Sequence, residues 1–177
     1  MFSCRSLVAC LTLAACAANT PTSSRPDAKF GRAATAQEVA AWDISIPPSG
    51  EGLPSGSGNA KQGEAVYLAK CQSCHGAKGV GKPADPLAGG IGSLASANPV
   101  RTVGSFWPYA TTLFDYTRRA MPLANPQSLT NDEAYAVTAY VLYLNGIIAE
   151  SDEMNARSLQ QVKMPNRDGF VDWSRRF

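Results

Sequence analysis

The stretch Cys71-Gln72-Ser73-Cys74-His75 decides how this chain is read. Two cysteines with two residues between them fall on one helical turn, the spacing that lets two thiols form thioethers with the two vinyl groups of one haem. The adjacent His75 then lies beneath the iron as proximal ligand. Fewer intervening residues would bring the sulfurs too close for the vinyl separation. A thioredoxin-like redox pair would need a βαβ setting, and a structural zinc site would need four ligands. The chain has one histidine and no third cysteine near this run. Covalent haem is the leading reading, and His75 as a satisfied core histidine is the alternative.

Working outward, Asn59 caps a helix through Lys61-Gln62-Gly63-Glu64-Ala65-Val66-Tyr67-Leu68-Ala69-Lys70-Cys71, which leads straight into the motif. A second helix is expected from about Pro108 to Ala120, with Leu113, Tyr116 and Ala120 on one face and Pro122 ending it. The clearest helix is the last. Thr130 and Glu133 form a capping box, Val137, Tyr140, Val141 and Leu144 make an apolar stripe, and Gly146 closes it. No strong strand pattern is present, so the fold class is all-α, with three to five helices around one covalently attached haem c.

With no second histidine, the sixth ligand is expected to be a methionine thioether. Met121 is the best candidate, because a helix end and Pro122 can hold a loop rigidly across the haem. Met154 and Met164 are rivals. Met164 also precedes a proline but lies in a polar tail beyond the last helix, and Met121 as core filling or an open iron site are the remaining readings. Two filled axial positions leave no vacancy for oxygen or peroxide chemistry, so the expected role is one-electron transfer, with no catalytic residues and no enzyme activity in this chain.

The rest of the chain sets limits on this centre. It has 177 residues, 45% hydrophobic and 17% charged, enough for one domain with tails. Sixteen Lys and Arg against 14 Asp and Glu leave a formal charge of +2, which argues against a nucleic-acid surface. Five cysteines fall into two groups, Cys4, Cys10 and Cys16 and then Cys71 and Cys74, so a distributed disulfide framework is not expected. Residues 1–15, with Arg5 before the apolar stretch from Leu7 to Ala15, read as an export signal, which places the protein in the periplasm. Leu13-Ala14-Ala15-Cys16 resembles a bacterial lipobox, in which case a lipid on Cys16 anchors the protein to a membrane; ordinary cleavage nearby is the alternative. Residues 16–58, rich in Ala, Pro, Ser, Thr and Gly, read as a flexible tether, in which the patch around Trp42 reads equally as one helical turn and as unstructured spacer. The haem domain spans 59–148, and 149–177 form a polar extension that either docks on a partner or folds back on its own domain.

Gly63-x-x-x-Tyr67 before Cys71-x-x-Cys74-His75, the Met121-Pro122 loop, and Ala139-Tyr140-Val141 in the last helix resemble the class I cytochromes c over residues 59–148. The resemblance implies that the first and last helices cross tightly, with Gly63 permitting close approach and Tyr67 packing against Val137, Tyr140 or Val141. It also implies that a proline carbonyl, here that of Pro86, accepts a hydrogen bond from the proximal histidine. More narrowly, Thr102-Val103-Gly104-Ser105-Phe106-Trp107-Pro108-Tyr109-Ala110 and Asp115-Tyr116-x-Arg118-Arg119-Ala120-Met121-Pro122 are similar to SoxD-type cytochrome subunits of sulfane dehydrogenases. The tail from Val162 to Phe170 shares this similarity. This implies a molybdenum-containing sulfite-oxidase-like partner, with electrons passing on to other cytochromes c. Larger members carry two haem domains, whereas this chain has one attachment motif. The alternative is a membrane-tethered periplasmic shuttle between respiratory complexes. Arg101, Trp107 and Tyr109 are candidate donors to the haem propionates, while Arg118 and Arg119 read equally as a solvated helix face.

Overall fold

The computed structural model describes residues 31–176, so Cys4, Cys10, Cys16 and the export reading of residues 1–15 lie outside the described residues. The chain divides into Met1–Thr35 and Ala36–Phe177. In the first unit, described residues 31–35 form no helix or strand. The second begins with α1 (Ala36–Trp42), which buries none of its residues and leaves Trp42 exposed.

Next come β1 (Ser57–Gly58), α2 (Ala60–Lys70) and the single turn α3 (Gln72–His75). Asn59 caps α2 reciprocally: its Oδ1 accepts from the Gln62 amide at 3.0 Å and its own amide donates to Gln62 Oε1 at 3.0 Å. A loop then leads to α4 (Val103–Phe106), α5 (Ala110–Ala120) and α6 (Asn131–Leu144). α5 starts after Pro108, with Tyr109 at its cap. Its buried face is Ala110, Thr111, Leu113, Phe114 and Asp115; Tyr116, expected on that face, instead stacks edge-on against Trp107 at 5.9 Å. β2 (Met154–Asn155) pairs antiparallel with β1, Gly58 opposite Met154, and α7 (Ser158–Gln161) follows. The architecture is all-α in its core, with this two-residue ladder as the only strand pairing among the described residues.

The core is built where α2 crosses α6. A Cβ on Gly63 would run into the backbone carbonyl of Ala136, so only glycine lets the two backbones come this close. One turn on, Tyr67 is fully buried with its ring 5.2 Å from that of Tyr140. α6 is buried continuously from Ala134 to Leu142, and Tyr135 packs on Phe114 of α5 with ring centroids 4.4 Å apart. Each such buried aromatic contributes about 1.5–3 kcal/mol. Thr130 and Glu133 make the expected capping box.

Part of the stretch read as a flexible tether is packed, and the extension takes one of its two expected courses. In the stretch read as tether, Ile46 enters the core, and its amide donates to Asp115 Oδ1 at 2.9 Å. The carbonyls of Pro48 and Pro54 accept from Thr111 Oγ1 at 3.0 Å and from the Tyr135 hydroxyl at 2.8 Å. Asn131 Nδ2 reaches the Ser55 carbonyl at 3.1 Å, and the Ser57 amide donates to Asp132 Oδ1 at 2.8 Å. Proline-rich chain has few amides but keeps its carbonyls, and these side chains satisfy them. The C-terminal extension folds back on its own domain. Met154, Leu159 and Met164 are core residues, Asn166 Nδ2 donates to the Phe106 carbonyl at 2.8 Å, and Phe170 meets Phe106 edge-on at 5.2 Å. Among the described residues no helix is long and apolar enough to cross a membrane.

Candidate haem centre

Cys71 is both the end of α2 and the start of α3. Its amide closes α2 on the Tyr67 carbonyl at 2.9 Å, while its carbonyl accepts from the amides of Cys74 and His75 at 3.1 and 3.0 Å. The motif is therefore one continuous helical turn, with no disulfide between the two thiols. Cys74 is exposed and Cys71 half-buried. Burial pushes the Cys71 thiol up to about 11, against the opposing pull of the Lys70 ammonium.

After the turn, Gly76 adopts a positive φ of 72°, and a Cβ there would strike the Gly81 carbonyl. The Tyr67 hydroxyl donates to the Gly76 carbonyl at 2.7 Å, tying the haem-side loop to the helix crossing. The loop returns on itself through the Gly81 amide to the His75 carbonyl and the Ala84 amide to the Cys74 carbonyl, both 2.8 Å. This return sets His75 Nδ1 3.0 Å from the carbonyl of Asp85. The acceptor is thus Asp85 and not Pro86: pinning the loop at Ala84 presents the peptide before the proline to the ring. A carbonyl only accepts, so Nδ1 carries the proton and Nε2 keeps its lone pair for a metal.

Met121 arrives on a different element. It ends α5, its amide donating to the Thr117 carbonyl at 3.2 Å, and its backbone is extended at φ −112° and ψ 149°. The side chain is half-buried. The rivals are placed otherwise: Met154 and Met164 are 4% and 3% exposed and fill the hydrophobic core, so Met164 does not lie in a polar tail.

Arg101 lies over the Phe106 ring at 5.5 Å and Arg167 over the Tyr109 ring at 4.1 Å, while Trp107 packs on the core. Arg118 and Arg119 are not simply a solvated face. Arg119 grips Asp115 with contacts of 2.7 to 3.3 Å, and Arg118 reaches Asn131 Oδ1 at 3.3 Å and the Ile44 carbonyl at 3.4 Å. Asn145 was not anticipated from the sequence. Buried at the end of α6, it accepts from the Gly89 amide at 3.0 Å and donates to the carbonyls of Leu87 at 3.1 Å and Val141 at 2.8 Å, fixing the loop after His75. Its position directly before the helix-stop Gly146 was the only available signal.

The donor set fits haem c. Two thiols on one turn match two vinyl groups, and an imidazole with a free Nε2 stands beside them. Among the described residues no group of three or more His, Cys, Asp or Glu could hold a bare metal ion.

Comparison with known proteins agrees with this chemistry. Residues 58–141 match the family model described as cytochrome C oxidase, cbb3-type, subunit III. The crystal structure of the sulfane dehydrogenase SoxCD from Paracoccus pantotrophus is similar at a TM-score of 0.77 and 41% sequence identity, covering 84% of this chain and 73% of that one. A search of the curated proteins finds no match. With its Cys71–His75 turn, its glycine-mediated helix crossing and this degree of identity, the chain belongs to the class I cytochromes c, haem c electron-transfer proteins, and within them to the SoxD type.

Proposed function

We propose that the protein holds one haem c through thioethers at Cys71 and Cys74, with His75 and Met121 as axial ligands, and serves a sulfur-compound dehydrogenase as its electron-accepting subunit. The observation that carries the partner is the 41% identity, over 84% of the chain, to a structure of a sulfane dehydrogenase. Bound in this site, the haem supplies a reversible one-electron couple. The chain's own work is positional. Asp85 orients His75 and raises its basicity, and the α2–α6 crossing holds the Cys71–His75 turn rigid. Met121 offers a neutral soft sulfur, which favours the ferrous state over histidine or thiolate ligation. The partner is a molybdenum-containing sulfite-oxidase-like subunit that carries out the bond-breaking chemistry, and the electrons leave to another cytochrome c. The protein is exported to the periplasm, with Cys16 as the candidate lipid anchor.

The test is the visible spectrum of protein matured with haem, oxidised and reduced, beside Met121→Ala, followed by mixing with the molybdenum subunit and a sulfur substrate. A low-spin spectrum whose methionine-to-iron band vanishes in Met121→Ala, with reduction only when the molybdenum subunit is present, is expected. A carbon-monoxide-reactive wild type would overturn the ligand assignment, and a carrier that the molybdenum subunit never reduces would overturn the partner.

A further inference from the structure

The segment from Ile44 to Ser57 is a strap, and its first part, Ile44 to Pro48, is anchored on the helix that delivers Met121. Asp115, whose side chain is only 9% exposed, is the hub. One of its oxygens accepts the Ile46 amide, and both accept from the guanidinium of Arg119 one turn further along α5. Arg118, beside Arg119, donates to the Ile44 carbonyl and to Asn131 at the start of α6. One turn before Asp115, Thr111 donates to the Pro48 carbonyl. The last turn of α5 is therefore clamped from the strap and from α6 directly before Met121, whose backbone leaves the helix in extended form.

We propose that Asp115 is a positioning residue for the sixth haem ligand: through Arg119 and the strap it fixes the end of α5 and so holds Met121 on the iron. This rests on the His75–Met121 ligation proposed above. A helix end anchored by a charge-assisted fork pivots less than one held by backbone bonds alone, because those bonds fray first in the terminal turn. Ligand exchange at the iron requires Met121 to swing away, and the clamp opposes that swing. Displacing residues 44–48 loosens the same turn.

The test is imidazole titration of the ferric full-length protein, in wild type, Asp115→Asn, Thr111→Val and Met121→Ala, with Met164→Ala as a destabilising core control outside the hydrogen-bonded clamp. Asp115→Asn is expected to bind imidazole roughly tenfold more tightly, the change that follows from losing one charge-assisted bond. Thr111→Val is expected to shift binding less in the same direction, and Met164→Ala to lower the melting temperature without changing imidazole affinity. The methionine-to-iron band of Asp115→Asn should disappear at correspondingly lower imidazole, and its reduction potential should fall. Wild-type affinity in Asp115→Asn, or an equal gain in Met164→Ala, overturns the inference. A Met121→Ala protein that matches wild type in spectrum and imidazole affinity overturns the ligation reading itself, and the inference with it.

Discussion

At Gly63 the distance between two helices is decided by one hydrogen atom. A methyl group there would overlap the Ala136 carbonyl and press on the Tyr140 Cβ at 2.9 Å, and neither can retreat because α6 is buried along that whole side. Gly63→Ala should therefore push α2 off α6 and misplace Tyr67, whose hydroxyl holds the loop after His75. A loss of about 1–3 kcal/mol is expected from overpacking, against the usual gain of Ala over Gly inside a helix. Denaturant unfolding of the haem-loaded variant measures it, and a Gly63→Ala protein as stable as wild type would mean the crossing opens freely. His75 makes the same point at the level of one bond. Its partner is a backbone carbonyl, so no side-chain substitution at position 85 removes the acceptor, and only a change in the path of the loop does.

At the level of elements, the α2–α6 pair is closed at the haem end by Lys70 and Glu133, Nζ to Oε1 at 2.6 Å. Glu133 also accepts the Thr130 amide, and the Lys70 ammonium first, then that amide, holds its carboxyl below the ordinary value. A carboxylate lowered in the folded state stabilises above its unfolded pKa, and that contribution is lost as pH falls through the folded one. Both side chains are about a third exposed, so solvent screens the pair and its worth is about 0.5–1 kcal/mol. Glu133→Gln should thus be less stable than wild type at pH 7 and approach it only in acid below the ordinary range of a glutamate, where the lowered carboxyl is protonated. Thermal melts at both pH values check this, and a gap that persists in acid would assign the effect to the helix cap instead. These helices were legible in the sequence because their caps and apolar spacing are local signals: Asn59 with Gln62, Thr130 with Glu133, and Val137 with Tyr140, Val141 and Leu144. The Cys71–His75 turn was legible because its chemistry is compressed into five residues. The strap was not, since its bonds run from Pro48, Pro54 and Ile46 to side chains far along the chain, and a composition of Pro, Ser and Gly is the same in a linker and in a chain laid across a surface. The role of Asp115 was not legible for the same reason, since its Ile46 partner lies 69 residues away in the chain.

For the molecule as a whole, the haem domain does not end with α6. The extension beyond residue 148 places Met154, Leu159 and Met164 in the same core as Tyr67, Phe114 and Tyr135, and Arg167 and Phe170 cover Tyr109 and Phe106 on the chain leading into α5. Three buried side chains at about 1.5–3 kcal/mol each are an upper estimate, because an unfolded chain already hides part of that surface. Even discounted, their sum is a large fraction of the 5–15 kcal/mol that separates a typical folded domain from its unfolded state. A chain truncated after residue 148 should therefore mature poorly and melt well below the full-length protein, and Met164→Ala alone should cost about 2–5 kcal/mol. Melting curves and limited proteolysis of haem-loaded protein separate the two uses of this segment. If truncation leaves the melting temperature unchanged yet abolishes binding to the molybdenum subunit proposed as partner, the extension serves that partner. If the melting temperature falls in both variants, and Met164→Ala still binds the partner, residues 149–170 belong to the core of the cytochrome, and the domain cannot be cut at the end of its last long helix.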